Sequence, residues 1–374
     1  MKINIIGGGP AGLYFAILMK KQNGEREIAV YERNAPDDTF GWGVVFSDKT
    51  LSYLRDNDEE SYEEITGSFE TWDNVDVVHR DQKITIRGNK FSGIARLRLL
   101  QILQRRCHSL GVELNFRTEI DDVERLRACD LLVGADGINS ATRSRYGEHF
   151  GPDLSVRTNK YIWYGTRQLF HGLTLTFHET EAGVFAAHSY KFDKEMSTFI
   201  VECDAGTWAQ AGFEHLTDDA TRDYLGRVFA NDLHGHELLS NNSKWINFVN
   251  IRNRQWSHEN VVLIGDALHT AHFSIGSGTK LALEDSIALA KCFQATTDVR
   301  EALSEFERVR KPVIEEYQEA AYESLVWFEN VKDYMSLSPV PFAYRLMTRS
   351  KRIDYENLKR RDPQFIAAYE QSGS

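Results

Sequence analysis

Cysteine is scarce in this chain: four residues among 374, at positions 107, 129, 203 and 292. No two form a C-x-x-C pair and their spacing fits no zinc pattern, so neither a disulfide framework nor a metal site is expected. Buried thiols in a reducing compartment are expected instead. Long apolar runs are missing as well. The stretch 3–19 is interrupted by three consecutive glycines and a proline, and no small-residue cleavage site follows Lys20-Lys21. It reads as folded chain and not as a secretion signal. No other run is long enough to span a membrane, and a cytoplasmic protein is expected. Positive charge is in deficit: Lys and Arg total 44 against 55 Asp and Glu, a net charge of −11. That argues against nucleic acid as the main partner, while leaving room for a local basic patch facing an anionic ligand. The sequence also lacks repeats and low-complexity linkers, so domain boundaries must come from motifs.

What is present is an ordinary globular composition, 42% hydrophobic and 26% charged. The length suits two domains, or one domain with a large insertion. The most informative stretch is the N-terminus. Residues of strand character, Ile3-Asn-Ile-Ile6, run into Gly7-x-Gly9-x-x-Gly12, and helical sequence follows. Gly7 permits a tight turn, Gly9 lets a pyrophosphate approach the backbone, and Gly12 allows helix and strand to pack closely. The helix start offers free N–H groups to the phosphates. A second strand over 27–32 ends on Glu32, twenty residues beyond Gly12. A carboxylate there accepts the ribose hydroxyls of a dinucleotide.

Polar helical sequence is expected around 51–64, and 75–78 with 83–87 as a hairpin. A helix near Arg96 carries leucines at 99, 100, 103 and 110 on roughly one face. Strands return at 112–116 and 130–134. Residues 160–250 change character: strands at 161–164, 173–178, 184–190 and 198–202 mark an antiparallel sheet, unlike the βαβ pattern before them. A buried strand follows at 261–264. Beyond Lys280 the chain reads as helical to its end, with breaks at Pro312, Pro339 and Pro341. The expected fold class is α/β. A discontinuous Rossmann-like domain covers 1–72, 92–155 and 250–297; an inserted antiparallel β-sheet domain for substrate covers 73–91 and 156–249; C-terminal helices cover 298–374.

Two further motifs stand at strand ends. Asp136-Gly137-Ile-Asn-Ser140-Ala-Thr-Arg143 fits D-G-x-x-S-x-x-R. Its Asp-Gly makes a turn, and Ser140 can cap the next helix. Gly265-Asp266-Ala267-Leu-His269 leads to Ser274-Ile-Gly276-Ser-Gly278-Thr-Lys280. Asp266 stands where a ribityl chain can hydrogen-bond, and Gly276 and Gly278 open a helix whose dipole can face an electron-rich ring edge.

In this order and spacing the three motifs resemble the single-component FAD-dependent aromatic monooxygenases, whose FAD domain is of the glutathione-reductase type. The resemblance covers essentially the whole chain. It includes Arg96, similar to a helix-starting arginine that approaches the FAD diphosphate, and Phe306-Glu307-Arg308-Val-Arg310-Lys-Pro312, similar to a late Tyr-Glu-x-x-Arg-x-Pro helix. It departs at Thr270-Ala-His272-Phe-Ser-Ile-Gly276, where the family usually has a proline pair. The resemblance implies FAD held by Gly7, Gly9, Gly12, Glu32, Arg33, Arg96, Asp136, Asp266, Gly276 and Gly278. It implies NADH or NADPH as a co-substrate with no Rossmann domain of its own, and O2 activated as a C4a-hydroperoxyflavin. Segments 39–48, 159–166, 196–203 and 272–278 are similar to a narrower branch. That branch contains salicyloyl-CoA 5-hydroxylases and the flavin domain of 2-aminobenzoyl-CoA monooxygenases, with a violacein-pathway indole hydroxylase close by. It implies an aromatic substrate carried as a CoA thioester and hydroxylated at C5. The alternatives are a free phenol or indole substrate, or a non-oxygenase flavoprotein reductase on the same fold. The 2-aminobenzoyl-CoA enzymes of the branch continue into a second, reductase domain; for the 374 residues here a plain hydroxylase is expected over a fused monooxygenase/reductase.

The site must exclude water, and the inserted sheet offers Tyr161, Trp163, Tyr164, Phe185, Tyr190, Phe199, Trp245 and Phe248 as an aromatic cover. The catalytic candidates are His188 and Tyr190, which share one face of a strand, and His272 beside the flavin segment. A histidine can orient or deprotonate a ring hydroxyl or amine para to the attacked carbon. His269 is expected to serve the fold. Thioester phosphates need cations: Lys160, Arg167, Arg252 and Arg254 lie near the inserted sheet. The tail cluster of Arg345, Arg349, Lys351, Arg352, Lys359, Arg360 and Arg361 reads as a solvated helix face.

Overall fold

The N-terminal pattern folds as its spacing requires. The strand Lys2–Ile6 is buried from Ile3 onward, and Gly7 turns the chain at φ +111° toward the helix Pro10–Gln22. Pro10 stands at the first helical position, where a missing N–H leaves no bond unmade. The helix is buried from Pro10 through Met19 because the helices Arg96–Ser109 and Gly278–Ala295 pack on either side of it. The computed structural model describes residues 1–373, with 47–51 described by backbone alone.

Around Lys2–Ile6 lies a six-stranded sheet. Its order is Ser257–His258, Val261–Leu263, Leu131–Gly134, Lys2–Ile6, Glu27–Tyr31, Glu113–Asn115. Every pairing is parallel except that of Ser257–His258 with Val261–Leu263. This nucleotide sheet is buried on both faces, as a doubly wound sheet must be.

A nine-stranded cover sheet runs Leu238–Leu239, Pro152–Thr166, Ser197–Cys203, Gly183–Lys191, Leu173–Thr180, Glu70–His79, Gln82–Ala95, Gly43–Ser47, with Ile246–Asn253 also paired to Pro152–Thr166. The hairpin Glu70–His79/Gln82–Ala95 turns through Arg80 and Asp81, both at positive φ (51° and 56°), which suits the twist of its strands. One pairing departs from the expected antiparallel pattern: Glu70–His79 and Leu173–Thr180 run parallel. Parallel neighbours need a long crossover, and here the intervening chain supplies it by passing through the nucleotide sheet. At the Gly43 edge, glycines admit aromatic rings. A Cβ on Gly41 would lie 2.5 Å from Trp163, one on Gly43 2.4 Å from Phe192, and one on Gly165 2.6 Å from Trp42. The side chains of Ser47 and Asp48, at the end of the 39–48 string, lie outside the described residues.

The expected break at Pro312 does not occur. Pro312 sits inside one helix, Val299–Glu329. An interior proline costs about 3 kcal/mol, but buried anchors flank it. Arg310 reaches Asp285 at 2.8 Å and Glu284 at 3.0 Å, and Gln318 donates to the carbonyls of Ile251 (2.8 Å) and Thr270 (3.0 Å). Pro339, by contrast, starts the helix Pro339–Thr348, with Pro341 in its first turn. The tail helices pack Phe342, Leu346 and Phe365 under Val75, Val77 and Phe177 of the cover sheet. The tail cations are not all solvated: Arg349 turns inward, onto Ser324 and Ser274. Among the described residues no helix is long and apolar enough to cross a membrane, and no cluster of histidine, cysteine or acidic side chains could hold a metal.

Candidate active site

The glycine loop and Glu32 form one unit. The backbone N–H of Gly8 donates to Glu32 Oε2 at 2.8 Å, and Asn34 donates to Oε1 from its backbone and its amide. Gly7 and Gly12 are glycines for steric reasons within the protein: a Cβ on Gly7 would lie 2.1 Å from the carbonyl of Ala135, and one on Gly12 2.1 Å from that of Gly7. Gly9 differs. No protein atom lies within 4 Å of a Cβ built there, and its φ of −78° suits any residue. The same open space surrounds Gly278. Neither Pro10–Gln22 nor Gly278–Ala295 has an acidic residue in its first turn, so both helix starts present free N–H groups. Gly276 takes a left-handed conformation at φ +62° just before the second.

Arg96 and Asp266 face this cradle. The Arg96 N–H caps Trp42 O at 2.8 Å, while its side-chain Nε is buried without a hydrogen-bond partner. Burial lowers the Arg96 pKa, and the Asp266 carboxylate opposes that shift. The Asp266 side chain is exposed, yet the protein packed around it raises its carboxyl pKa by desolvation, against the pull of His269 and Arg96. An orphaned guanidinium nitrogen, two open glycines and two unblocked helix starts fit the diphosphate and ribityl chain of FAD. Arg33 is exposed beside Glu32 and has no partner among the described residues. Asp136 is engaged with its own helix: it accepts from Ser140 Oγ (2.5 Å), Thr142 N (2.9 Å) and Thr142 Oγ1 (3.0 Å). From that helix Arg143 donates to Ala267 O at 2.9 Å, which ties the second motif to the third. His269 binds Asp285 at 2.7 Å inside the Arg310 network.

Beside Asp266 lies a polar cluster that is closed off by the cover sheet. Tyr161 links the two halves. Burial raises its phenol pKa, as do the carboxylates of Asp266 and Glu202, and Glu202 stands directly across from it on the neighbouring strand. Its hydroxyl makes no hydrogen bond among the described residues. His188 Nε2 meets Glu202 Oε2 at 3.2 Å, Asn159 donates to Oε1 at 2.9 Å, and His272 Nε2 stands 4.0 Å from Oε1. His188, Glu202 and His272 are 4%, 2% and 3% exposed. Burial alone would raise the Glu202 carboxyl, but His188, His272 and Asn159 hold it below its usual range. Burial lowers the His272 pKa to about 4, so its ring is neutral near pH 7. Phe248, Phe273 and Phe328 wall the two imidazoles.

The expected residues separate accordingly. His188 and His272 converge on Glu202. Tyr190 points elsewhere: its hydroxyl donates to Gly43 O at 2.9 Å and its ring stacks on Trp72. Of the expected aromatic cover, Tyr161 and Phe248 border the cluster, whereas Tyr164, Phe185 and Phe199 are core on the opposite face. Glu202, Asn159 and Arg349 were not anticipated. Glu202 carried a usable signal, a carboxylate directly after the β-branched and aromatic run Thr198-Phe-Ile-Val201.

The FAD-binding-domain family matches residues 107–321, more than half of the chain. The chain is 42% identical to a salicyloyl-CoA 5-hydroxylase of a Streptomyces species over 361 residues, covering 94% of this chain and 70% of that one. It is 35% identical to the 3-hydroxy-4-methyl-anthranilyl-[aryl-carrier protein] 5-monooxygenase of Streptosporangium sibiricum over 333 residues, covering 89% and 90%. Its fold superposes on 2-methyl-3-hydroxypyridine-5-carboxylic acid oxygenase with a TM-score of 0.72 at 16% identity, over 96% and 97% of the two chains. The chain belongs to the FAD-binding-domain family of flavin-dependent aromatic monooxygenases.

Proposed function

We propose that this protein hydroxylates an ortho-substituted benzoyl thioester at C5, salicyloyl-CoA ahead of 2-aminobenzoyl-CoA, consuming O2 and NADH or NADPH. A ring hydroxyl or amine makes the carbon para to it electron-rich enough for an electrophilic oxygen. FAD, once bound and reduced by NADH or NADPH, would activate O2 so that one of its atoms enters the ring and the other leaves as water. The protein's task is to bind, orient and keep water away. Gly9, Arg96, Asp266, Gly276 and Gly278 hold the cofactor. Phe248, Phe273 and Phe328 shield the ring, and His188 accepts a hydrogen bond from its hydroxyl or amine. The observation that carries this reading is the buried His188–Glu202 pair, with Tyr161 feeling both Glu202 and Asp266 of the third motif. By name, one relative described above acts on salicyloyl-CoA and the other on an anthranilyl group held by an aryl-carrier protein. Of the cations near the cover sheet, Lys160 binds Asn247 and Arg167 pairs with Glu195, while Arg252 and Arg254 are exposed and their side chains have no hydrogen bond or ion pair among the described residues. Those two are the candidates for the thioester phosphates. Steady-state turnover of salicyloyl-CoA against free salicylate at matched concentration tests the reading. Turnover with the thioester is expected; turnover of the free acid alone would overturn it.

A further inference from the structure

The polar contacts behind the substrate cluster run in one direction. Arg349 can only donate, and its Nε lies 2.8 Å from Ser324 Oγ. Ser324 Oγ is 2.7 Å from Ser274 Oγ, which is 2.8 Å from His272 Nδ1. The backbone N–H of Ser274 also points at that Nδ1, so the nitrogen is an acceptor and carries no proton. The serine hydroxyls must then donate in sequence from Ser324 to Ser274 to His272, and the neutral ring keeps its proton on Nε2, toward Glu202. Arg349 donates to the carbonyls of Ser274 and Leu346 as well, which fixes its own position. On the other side of Glu202, an ionised carboxylate can only accept, so His188 donates from Nε2. Its Nδ1 has no hydrogen bond among the described residues.

We propose that Glu202 and Arg349 set the proton positions of the two histidines: Glu202 holds the Nε2 proton of His188 and leaves Nδ1 free to accept a substrate proton, while Arg349, through Ser324 and Ser274, locks His272 as its Nε2–H tautomer. Both are positioning residues. The tautomers stand on contacts within the protein; the role toward substrate rests on the function proposed above. In that role the ring O–H bond breaks and an Nδ1–H bond forms on His188. The resulting imidazolium sits against the Glu202 carboxylate, which stays ionised, and the ring oxygen retains the electron pair that activates C5. The charged and titratable groups facing the pair are Glu202 from Ser197–Cys203, Tyr161 from Pro152–Thr166, Glu329 from Val299–Glu329, and Arg349 after the helix Pro339–Thr348. Glu202 is the one anion in direct contact with His188 among the described residues.

The test is long-range 1H–15N correlation on holoenzyme labelled at histidine, with His188→Gln and His272→Gln to assign the signals. At pH 7 His272 should be neutral with the proton on Nε2, His188 should carry its proton on Nε2 with Nδ1 bare, and Ser324→Ala should move His272 out of its pure tautomer. A His272 or His188 protonated on Nδ1 would overturn the tautomer assignment, and a His272 pattern unchanged by Ser324→Ala would overturn the part given to Arg349. The second readout is the absorbance of salicyloyl-CoA bound to oxidised holoenzyme, followed against pH. Glu202→Gln should raise the midpoint of phenol ionisation by at least about one pH unit, a tenfold loss in proton-accepting strength. An unchanged midpoint would overturn the role of Glu202. Failure of the wild type to bind salicyloyl-CoA would instead count against the proposed substrate and leave the tautomer measurement to decide this inference.

Discussion

The glycines of the first motif serve two different purposes, and a pair of substitutions separates them. Gly12 faces the Gly7 carbonyl at a distance no Cβ tolerates, whereas Gly9 faces open space at an unstrained φ. Gly12→Ala should therefore lower the melting temperature of the flavin-free protein, because backbone must shift to admit the methyl group. Gly9→Val should leave that melting temperature within a degree or so of the wild type while cutting flavin retention at least about tenfold. The measurements are a thermal melt of the apoprotein and the flavin-to-protein ratio of the purified enzyme. Equal flavin content in Gly9→Val and wild type would remove Gly9 from the phosphate site. The sequence reveals that a fingerprint is present, but not which of its glycines meets protein and which meets ligand. For Gly7 that depends on a close approach to Ala135, more than a hundred residues away, and for Gly12 on how the loop folds back onto Gly7.

At the level of elements, the seam between the cover sheet and the C-terminal helices should be acid-sensitive. His272 lies in this seam with Glu202, His188, Glu329 and Arg349 around it, and burial lowers its pKa from 6.5 to about 4. In the unfolded chain the ring protonates near pH 6.5; in the folded chain it resists until about 4. The unfolded state thus binds the extra proton first as the pH falls. The stabilising contribution is full above pH 6.5 and is lost progressively toward 4, by up to about 3 kcal/mol. Urea midpoints measured from pH 7.5 to 4.5 should fall less steeply for His272→Gln than for the wild type. Parallel slopes would contradict the buried, neutral ring. This seam was only half legible in advance. His188 and His272 stand out as polar residues in apolar segments, but Arg349 hides in a run of surface cations. What turns it inward is Ser324, on the face of the long helix that Pro312 was expected to interrupt. That helix persists because Arg310 and Gln318 are anchored in three dimensions, information that local proline chemistry does not carry.

Across the whole molecule, the parallel strands are legible as short apolar runs before glycine turns, and the hairpin and main cover strands as β-rich runs between turn residues. The parallel junction of Glu70–His79 with Leu173–Thr180 is not, because register between strands so far apart in sequence is set by the path of the chain between them. The strand Pro152–Thr166 of the cover sheet carries Tyr161, whose phenol feels both Asp266 of the third motif and Glu202 of the cluster. The most direct test of this arrangement is turnover of salicyloyl-CoA with NADH under 18O2, with mass analysis of the product. The account predicts one 18O atom on the ring, at C5, for each NADH oxidised with coupling. NADH oxidation that yields only labelled hydrogen peroxide and an unchanged ring would contradict it.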